Sequence, residues 1–377
     1  MNSNPVKQLE ALGQSIWLDY IRRDLIAGGG LRRLIDEDGL RGVTSNPAIF
    51  EKAIVDSHDY DADIRAMALK GLGAKEIYEG LSQSDVRSAA DEFKVLYETT
   101  DGGDGYVSLE VNPHLAHDTN GTIQEARRLW NALNRPNVFI KVPATAEGLP
   151  AIKYLIAEGI NVNATLIFGV PRYRQVAEAY IGGIEARVAQ GKPVKHVASV
   201  ASFFVSRIDA LADSLLEPFV LRGGKEAALA HDLRGYVAIA SAKMAYQSYK
   251  ELFGSIRFNG LVDAGARVQR LLWASTGNKN PDYADVKYVE ALIGAETVNT
   301  VPVQALDAYR DHGEPKARLE SGVDEAAVTL SRLRALGIGI DGLAQQLEDE
   351  GAAKFGQLFD KLMESLAQRA QAIARES

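Results

Sequence analysis

The sequence of 377 residues contains no cysteine, which excludes disulfide bonds, thiolate nucleophiles, iron–sulfur clusters and cysteine-ligated zinc. It also contains no apolar run of the about 18 residues that a membrane-spanning helix needs. Residues 1–20 do not carry the basic and apolar regions of a secretory signal peptide. These absences predict a cytoplasmic protein.

Basic residues are in the minority, since 42 Lys and Arg stand against 50 Asp and Glu and the net charge is −8. This charge repels nucleic acid and anionic lipid at long range, so we expect neither as a partner. The two glycine-rich nucleotide-binding patterns do not occur at a strand–helix junction. With 46% hydrophobic and 24% charged residues, the composition is that of an ordinary globular protein.

Short β-branched runs alternate with helical periodicity, which predicts parallel strands covered by helices. The number of these runs indicates the α/β class and a (β/α)8 TIM barrel. We expect one domain over 1–377, with the barrel at about 14–313, a helical insertion after the second strand at about 51–100 and a helical C-terminal extension at 314–377. The predicted strands are 15–20, 42–46, 106–111, 137–143, 160–168, 196–204, 270–275 and 296–302.

Several helix ends can be predicted from single residues. Pro171 suits the first turn of a helix, and Gly159 and Gly254 suit positions just past helix ends. Ser84 is a plausible cap for a helix in the insertion. We expect the C-terminal extension to pack on the outside of the barrel, with coverage of its mouth as the alternative.

Lys141 is a polar residue within an apolar strand and lies on the same face as Phe139. It falls near the carboxyl end of that strand, where barrel active sites lie. One interpretation is a lysine whose stem packs while its amine reaches water. The other is a nucleophile that forms a Schiff base with a carbonyl substrate. The second interpretation needs a neutral amine, which burial favours.

Polar side chains also occur near the ends of other predicted strands. For any one of them a structural hydrogen bond is as good an explanation as catalysis, and Asn46 before Pro47 could simply cap the next helix. Their convergence at one end of the barrel predicts a site. These residues are Asp19, Asn46, Ser108, Glu110, Asn112, Asn161, Asn163, Thr165 and Ser202.

Three motifs carry a family resemblance. Residues 42–50 (GVTSNPAIF) resemble the transaldolase signature around its T-[ST]-N-P core. Residues 138–143 (VFIKVP) resemble the Schiff-base strand of that family, and residues 159–168 (GINVNATLIF) match its G-I-N-x-N-x-T-L motif. The resemblance extends from Asp19 to the strand before Pro302, and the tail is similar to that of longer bacterial members.

The resemblance implies roles for the catalytic residues. Lys141 matches the Schiff-base lysine, Glu110 the acid/base glutamate and Asp19 the aspartate that takes the proton of the C4 hydroxyl. Thr165 matches the threonine that, with the glutamate, positions a catalytic water.

The resemblance also implies the substrate-binding residues. Asn46, Asn163 and Ser202 match residues that hold substrate hydroxyls and the nitrogen adduct. The spacing from Ser202 through Phe204 to Arg207 fits the family, which makes Arg207 the expected phosphate ligand.

One segment departs from the family pattern. A second phosphate-binding arginine is common after G-A-S-x, whereas here Ser275 is followed by Thr276, Gly277 and, two residues later, Lys279. We expect Ser275 to bind substrate. For Lys279 two interpretations stay open, a replacement for the missing phosphate-binding charge and a solvated lysine in a turn.

The implied reaction is a class I aldolase-type transfer within the non-oxidative pentose phosphate pathway. A dihydroxyacetone unit passes from sedoheptulose 7-phosphate to glyceraldehyde 3-phosphate, which gives erythrose 4-phosphate and fructose 6-phosphate. We expect sugar phosphates as substrates and neither a cofactor nor a metal, because the protonated imine supplies the electron sink. A monomer and a homodimer are both compatible with the sequence.

Three other functions deserve comparison. A fructose 6-phosphate aldolase resembles this chain, but Phe204 stands where that relative has a tyrosine, and its chains are shorter. A metal-dependent aldolase is suggested by Glu110, His114, His117 and Asp118, for which loop contacts with solvent are the default interpretation. A barrel that binds without catalysis would not need the intact set of Lys141, Glu110 and Asp19.

Overall fold

Eight parallel strands close into a barrel in chain order in the computed structural model of the protein, which describes residues 4–375. Each strand pairs with the next along the chain, and β8 pairs with β1. The predicted α/β barrel is confirmed. The strands are β1 (Gln14–Asp19), β2 (Gly42–Thr44), β3 (Tyr106–Glu110), β4 (Val138–Pro143), β5 (Val162–Ile167), β6 (Ser199–Phe204), β7 (Arg270–Ala274) and β8 (Thr297–Val301).

Helices cover the outside of the strands and fill the connections between them. In chain order they are α1 (Pro5–Gln8), α2 (Arg23–Ala27), α3 (Gly30–Asp38), α4 (Pro47–Val55), α5 (Asp61–Ala68), α6 (Ala74–Glu92), α7 (Lys94–Thr99), α8 (Thr119–Leu133), α9 (Gly148–Glu158), α10 (Val170–Ala189), α11 (Ser206–Arg222), α12 (Lys225–Leu233), α13 (Val237–Phe253), α14 (Ile256–Val262), α15 (Lys287–Ala291), α16 (Val303–His312), α17 (Val323–Ala335) and α18 (Ile340–Arg375). Glu10–Leu12 and Pro113–Leu115 form short 3-10 helices. Within the described part of the chain, no helix is both long and apolar enough to traverse a lipid bilayer.

The helical insertion lies between β2 and β3 and consists of α4 to α7. Ser84 does not cap a helix there, because it lies inside α6, which begins at Ala74. The buried Ile77 and Leu81 extend the apolar face of this helix through the turns that precede Ser84. The predicted cap was therefore wrong, whereas Gly159 does end α9 in the left-handed region with φ 88°.

The two helices of the C-terminal extension pack at different places. Helix α17 packs against α13 on the outside of the barrel. Helix α18 contacts α4, α5, α6, β5 and the Pro113–Leu115 turn, so it runs across the mouth. Both alternatives for the extension are therefore realised, one by each helix.

Aromatic side chains fill the barrel interior below its mouth. Trp17 stacks on Phe139 with ring centroids 6.0 Å apart, and Phe139 stacks on Tyr106 at 4.3 Å. Each of the three is almost fully buried. Because side chains two positions apart share a face of a strand, Trp17 and Phe139 place Asp19 and Lys141 one layer nearer the mouth. We call Trp17, Tyr106 and Phe139 the aromatic floor.

Candidate active site

Lys141 lies above the aromatic floor with its side chain only 6% exposed. Strand register aligns it with Glu110 on one neighbour and with Asn163 on the other. Paired residues of adjacent parallel strands point to the same face, so all three face the barrel interior. The Lys141 Nζ lies 3.6 Å from Glu110 Oε2 and donates to the Ser45 carbonyl oxygen at 3.4 Å.

Glu110 is a buried carboxyl without a hydrogen-bond partner on either oxygen within the described residues. Burial raises its pKa to about 7, while the neighbouring Lys141 lowers it and the charge of Asp19 raises it further. A carboxyl with this pKa exchanges protons readily near neutral pH. Glu110 is thus suited to act as both acid and base.

Asp19 is oriented by a chain of two threonines. Thr44 Oγ1 donates to Asp19 Oδ1 at 2.7 Å and lies 2.7 Å from Thr300 Oγ1. Because a hydroxyl has one proton, Thr300 must donate to Thr44 when Thr44 donates to Asp19. Burial raises the pKa of Asp19, and the charge of Lys141 and the Thr44 hydrogen bond lower it. The carboxylate is therefore fixed with its second oxygen available to a substrate.

A buried hydrogen-bond chain supports the other side of Lys141. Ser202 Oγ donates to Asn163 Oδ1 at 2.7 Å, and Asn163 Nδ2 donates to Ser108 Oγ at 3.2 Å. Thr165, two residues further along β5, has no partner for its hydroxyl among the described residues. Pairing between β5 and β6 is irregular here, and Leu166 has φ 64°. The Thr165 hydroxyl and the Glu110 carboxyl are both free to bind a water molecule.

Cationic side chains gather at the other end of the site. The Arg207 guanidinium lies 5.6 Å from the Phe204 ring centroid, and burial lowers its pKa. Although Lys279 is exposed at the rim, partial desolvation lowers its pKa, and the positive charges of Arg207 and Lys354 lower it further. Among residues 4–375, none of these three cations pairs with an acidic side chain. Like charges brought together in this way favour the binding of an anion.

One cavity of about 260 Å³ joins these groups. Asn46 lines it and also caps α4, since its Oδ1 accepts from the Ile49 amide at 3.1 Å. Glu110 and Asn163 lie behind the residues that line the cavity. Glu110 contacts the lining residue Lys141, and Asn163 accepts a hydrogen bond from the lining residue Ser202. The predicted residues that line the cavity are Asp19, Asn46, Lys141, Thr165, Ser202, Phe204, Arg207, Ser275 and Lys279.

Sequence reasoning missed part of this lining. Thr44 ends β2 and Thr300 lies one residue before the end of β8, so the polar-residue signal used for other strands could have found them. Phe355 and Leu358 come from α18, and no local pattern marks them. Two polar residues near predicted strand ends serve structure instead, because Asn161 donates to the Pro136 and Val138 carbonyls and Asn112 accepts from the His114 amide.

The acidic and histidine residues after β3 turn away from one another. His114 Nε2 pairs with Asp360 at 2.7 Å, His117 Nδ1 with Glu147 at 3.1 Å, and Asp118 caps α8. Within residues 4–375, no group of three or more His, Cys, Asp or Glu side chains is placed to hold a metal ion. This arrangement offers no support for a metal-dependent aldolase.

A buried lysine beside a carboxyl at the mouth of a parallel barrel is suited to an enzyme that forms a Schiff base with a carbonyl substrate. Similarity to known proteins supports this class of enzyme. The family model for Transaldolase/Fructose-6-phosphate aldolase matches residues 16–366. The chain therefore belongs to this family, as its motifs predicted.

Curated relatives are similar along nearly the whole chain. Transaldolase 2 of a Nostoc species is 48% identical over 97% of both proteins. Transaldolases of Trichodesmium erythraeum and Thiobacillus denitrificans are 47% and 46% identical, over 98% and 96% of this chain and 98% and 99% of their own. These matches confirm the predicted activity class, an enzyme that transfers aldehyde or ketone residues.

Proposed function

We propose that this chain catalyses transaldol transfer through a Schiff base on Lys141. The observation that carries the proposal is the buried Lys141 Nζ, 3.6 Å from the Glu110 carboxyl and within one cavity with Asp19 and Arg207. The donor is sedoheptulose 7-phosphate and the acceptor glyceraldehyde 3-phosphate. The products are erythrose 4-phosphate and fructose 6-phosphate, as in the non-oxidative pentose phosphate pathway.

The first stage forms the imine. Glu110 takes up a proton that Lys141 loses, and the neutral amine attacks the ketone carbon of the donor. A further proton passes from the nitrogen to the former ketone oxygen, which gives the carbinolamine. Glu110 then returns the proton to the departing hydroxyl through a water molecule shared with Thr165. The pKa of about 7 suits Glu110 to both directions of proton transfer.

The second stage breaks the C3–C4 bond of the donor. Asp19 accepts the proton of the C4 hydroxyl, and the electrons of the bond move to the protonated imine. A three-carbon enamine stays on Lys141, and the aldose phosphate leaves. The acceptor aldehyde then reacts with the enamine by the same steps in reverse. Ser202 and Asn46 bind the hydroxyls of the bound unit, and Asn163 acts on it through its hydrogen bond with Ser202.

The cationic end of the cavity binds the substrate phosphate. Arg207 provides the main contact, and we propose that Lys279 supplies the second charge as a point charge rather than a bidentate fork. Replacing Lys279 with alanine should raise KM for phosphorylated substrates more than it lowers kcat. An unchanged KM would support the solvated-lysine interpretation instead.

Transfer is favoured over release of free dihydroxyacetone by one side chain. Phe204 lines the cavity at the position where the fructose 6-phosphate aldolase relative has a tyrosine. Unlike tyrosine, phenylalanine has no hydroxyl to hold a hydrolytic water. Phe168 packs against it with ring centroids 5.1 Å apart. Phe204 thus contacts another aromatic ring, and its own side chain brings no hydroxyl to the cavity.

The test is a transfer assay with fructose 6-phosphate and erythrose 4-phosphate. Wild-type protein should form sedoheptulose 7-phosphate, and Lys141→Met should lose the activity because no amine remains to form the imine. Lys153→Met, in the exposed face of α9, serves as the matched control and should keep it. Wild-type turnover by Lys141→Met would overturn the proposal.

We further propose that the enzyme works in the cytoplasm and that the chain forms one domain. Helix α18 supports the second point, because Phe355 and Leu358 of this helix line the same cavity as the barrel residues. A monomer and a homodimer both fit the proposed reaction.

A further inference from the structure

Phe355 covers the reacting nitrogen from outside the barrel. Its side chain is 5% exposed, and its ring centroid lies 5.7 Å from Lys141 Nζ. We infer that Phe355 is a specificity-determining residue that limits the entry of water beyond the one molecule proposed at Glu110 and Thr165, so that the three-carbon unit passes to a sugar and not to water. This inference rests on the proposed Schiff base on Lys141.

Two glycines let α18 come close enough to place this ring. A Cβ at Gly351 would lie 3.1 Å from Leu166 Cδ2, and one at Gly356 would lie 3.3 Å from His114 Cε1. Glycine inside a helix costs about 1 kcal/mol relative to alanine. These glycines lie on either side of Phe355, and a larger residue at either position would make the neighbouring side chain shift by a few tenths of an ångström.

An arginine–glutamate ion pair on one side of the ring and a histidine–aspartate hydrogen bond on the other hold the helix. Arg172 forms a bidentate salt bridge with the buried Glu348, with N–O distances of 2.8 and 2.9 Å. Asp360, on the other side, pairs with His114 at 2.7 Å. The ring of Phe355 is therefore held in place above Lys141 by contacts that precede and follow it.

The chemistry explains why such a cover matters. Between donor cleavage and acceptor capture, the three-carbon unit stays on Lys141 as an enamine. Its terminal carbon can gain a proton to form the iminium, and water can then add to the C=N carbon and release a proton. Cleavage of the C–N bond gives free dihydroxyacetone and the free amine, so one water is consumed overall. A cover that limits the entry of bulk water while the enamine is on Lys141 disfavours this loss.

Two activities of the full-length protein should be compared in the test. One is the release of dihydroxyacetone from fructose 6-phosphate alone, followed with glycerol dehydrogenase and NADH. The other is transfer from fructose 6-phosphate to erythrose 4-phosphate. The variants are Phe355→Ala and Phe355→Leu, and the control is Phe359→Leu. Phe359 lies one turn further along α18, is 7% exposed and packs on Tyr78 with ring centroids 5.6 Å apart.

The ratio of release to transfer decides the outcome. It should rise about tenfold in Phe355→Ala, which corresponds to about 1.4 kcal/mol between the two barriers, and should rise less in Phe355→Leu. Phe359→Leu should keep the wild-type ratio even if its melting temperature falls. If Phe355→Ala does not fold, the ratio of release to transfer measured for Phe355→Leu tests the inference.

Failure of the inference is distinguishable from failure of the proposed function. A wild-type protein that transfers, together with Phe355 variants that fold and keep its ratio, would overturn the inference alone. An equal rise in Phe359→Leu would also overturn it, because a loosened helix would then explain the result. A wild-type protein without transfer would overturn the proposed function itself.

Discussion

At the scale of single residues, the proposed reaction depends on proton exchange by Glu110. Its pKa is raised from 4.5 to about 7 by burial, so the neutral form is favoured in the folded protein. Between these two pH values the folded protein holds a proton that the unfolded chain has lost. The free energy of unfolding contributed by Glu110 is therefore greatest below about pH 4.5 and falls as the pH rises through 7.

Glu110→Gln should remove this ionisation. We expect the unfolding free energy of the variant to depend less on pH between 4.5 and 7 than that of wild type. Its kcat should fall by a factor of about 100, and the change near pH 7 should disappear from the rate profile. Chemical denaturation and steady-state kinetics across this range provide the measurements. A variant that retains the wild-type profile would show that another group acts as the acid.

Asp19 depends on the hydroxyl of Thr44. The Thr44 hydrogen bond lowers the pKa of Asp19, so Thr44→Val should raise this pKa and shift the acidic limb of kcat/KM to higher pH. Loss of one charge-assisted bond should lower kcat about tenfold. Thr122→Val is the control, because Thr122 is a buried hydroxyl that donates to the Leu115 carbonyl outside the cavity. An acidic limb that does not move would contradict the proposed link between Thr44 and Asp19.

Residue types could be predicted where a strand imposes a pattern. Lys141, Glu110 and Asn163 stand out because polar side chains are rare inside strands that are buried on both faces. Asn46 shows the limit of this reasoning, since it both caps α4 and lines the cavity. Position in the sequence alone cannot separate these two roles.

At the scale of secondary-structure elements, α18 depends on the pair of Arg172 with Glu348. Glu348→Gln leaves Arg172 without its carboxylate, and we expect the unfolding free energy to fall by about 2 kcal/mol. Amide exchange in α18 should speed up, because the helix loses one anchor. Glu364→Gln, at an exposed position of the same helix, is the control. Equal exchange rates in the two variants would show that the ion pair does not hold the helix.

Helix boundaries were less predictable than strands. The apolar face of α6 continues through Ser84, and a serine alone does not distinguish a cap from an exposed interior position. Gly159 was a better signal, because its left-handed conformation favours glycine. The irregular pairing at Leu166 could not be predicted either. No feature of this apolar run indicates that Leu166 adopts a φ of 64°.

At the scale of the whole molecule, the order of strands follows from the sequence because each parallel strand and its helix form a local unit. The placement of α18 does not. Phe355 and Lys141 meet although a large part of the chain separates them, and the contact depends on glycine spacing and ion pairs that become meaningful only in three dimensions. The barrel and its polar strand ends were therefore predictable. Coverage of the mouth was one of two alternatives, and the residues that provide it were not predictable.

The net charge of −8 also has a meaning at this scale. An acidic protein repels sugar phosphates at long range, so binding must depend on the local group of Arg207, Lys279 and Lys354. Arg207 and Lys279 line the same cavity as Asp19. Lys354 is close enough to lower the pKa of Lys279. We expect this charge distribution to orient the substrate, with its phosphate at Arg207 and Lys279 and its carbonyl at Lys141.

The most direct test of the central claim is reduction with borohydride in the presence of fructose 6-phosphate, followed by peptide mass mapping. If Lys141 forms the Schiff base, this treatment should give a dihydroxyacetone-derived adduct on Lys141 and irreversible loss of transfer activity. An adduct on another lysine, or full activity with no adduct after the same treatment, would contradict it.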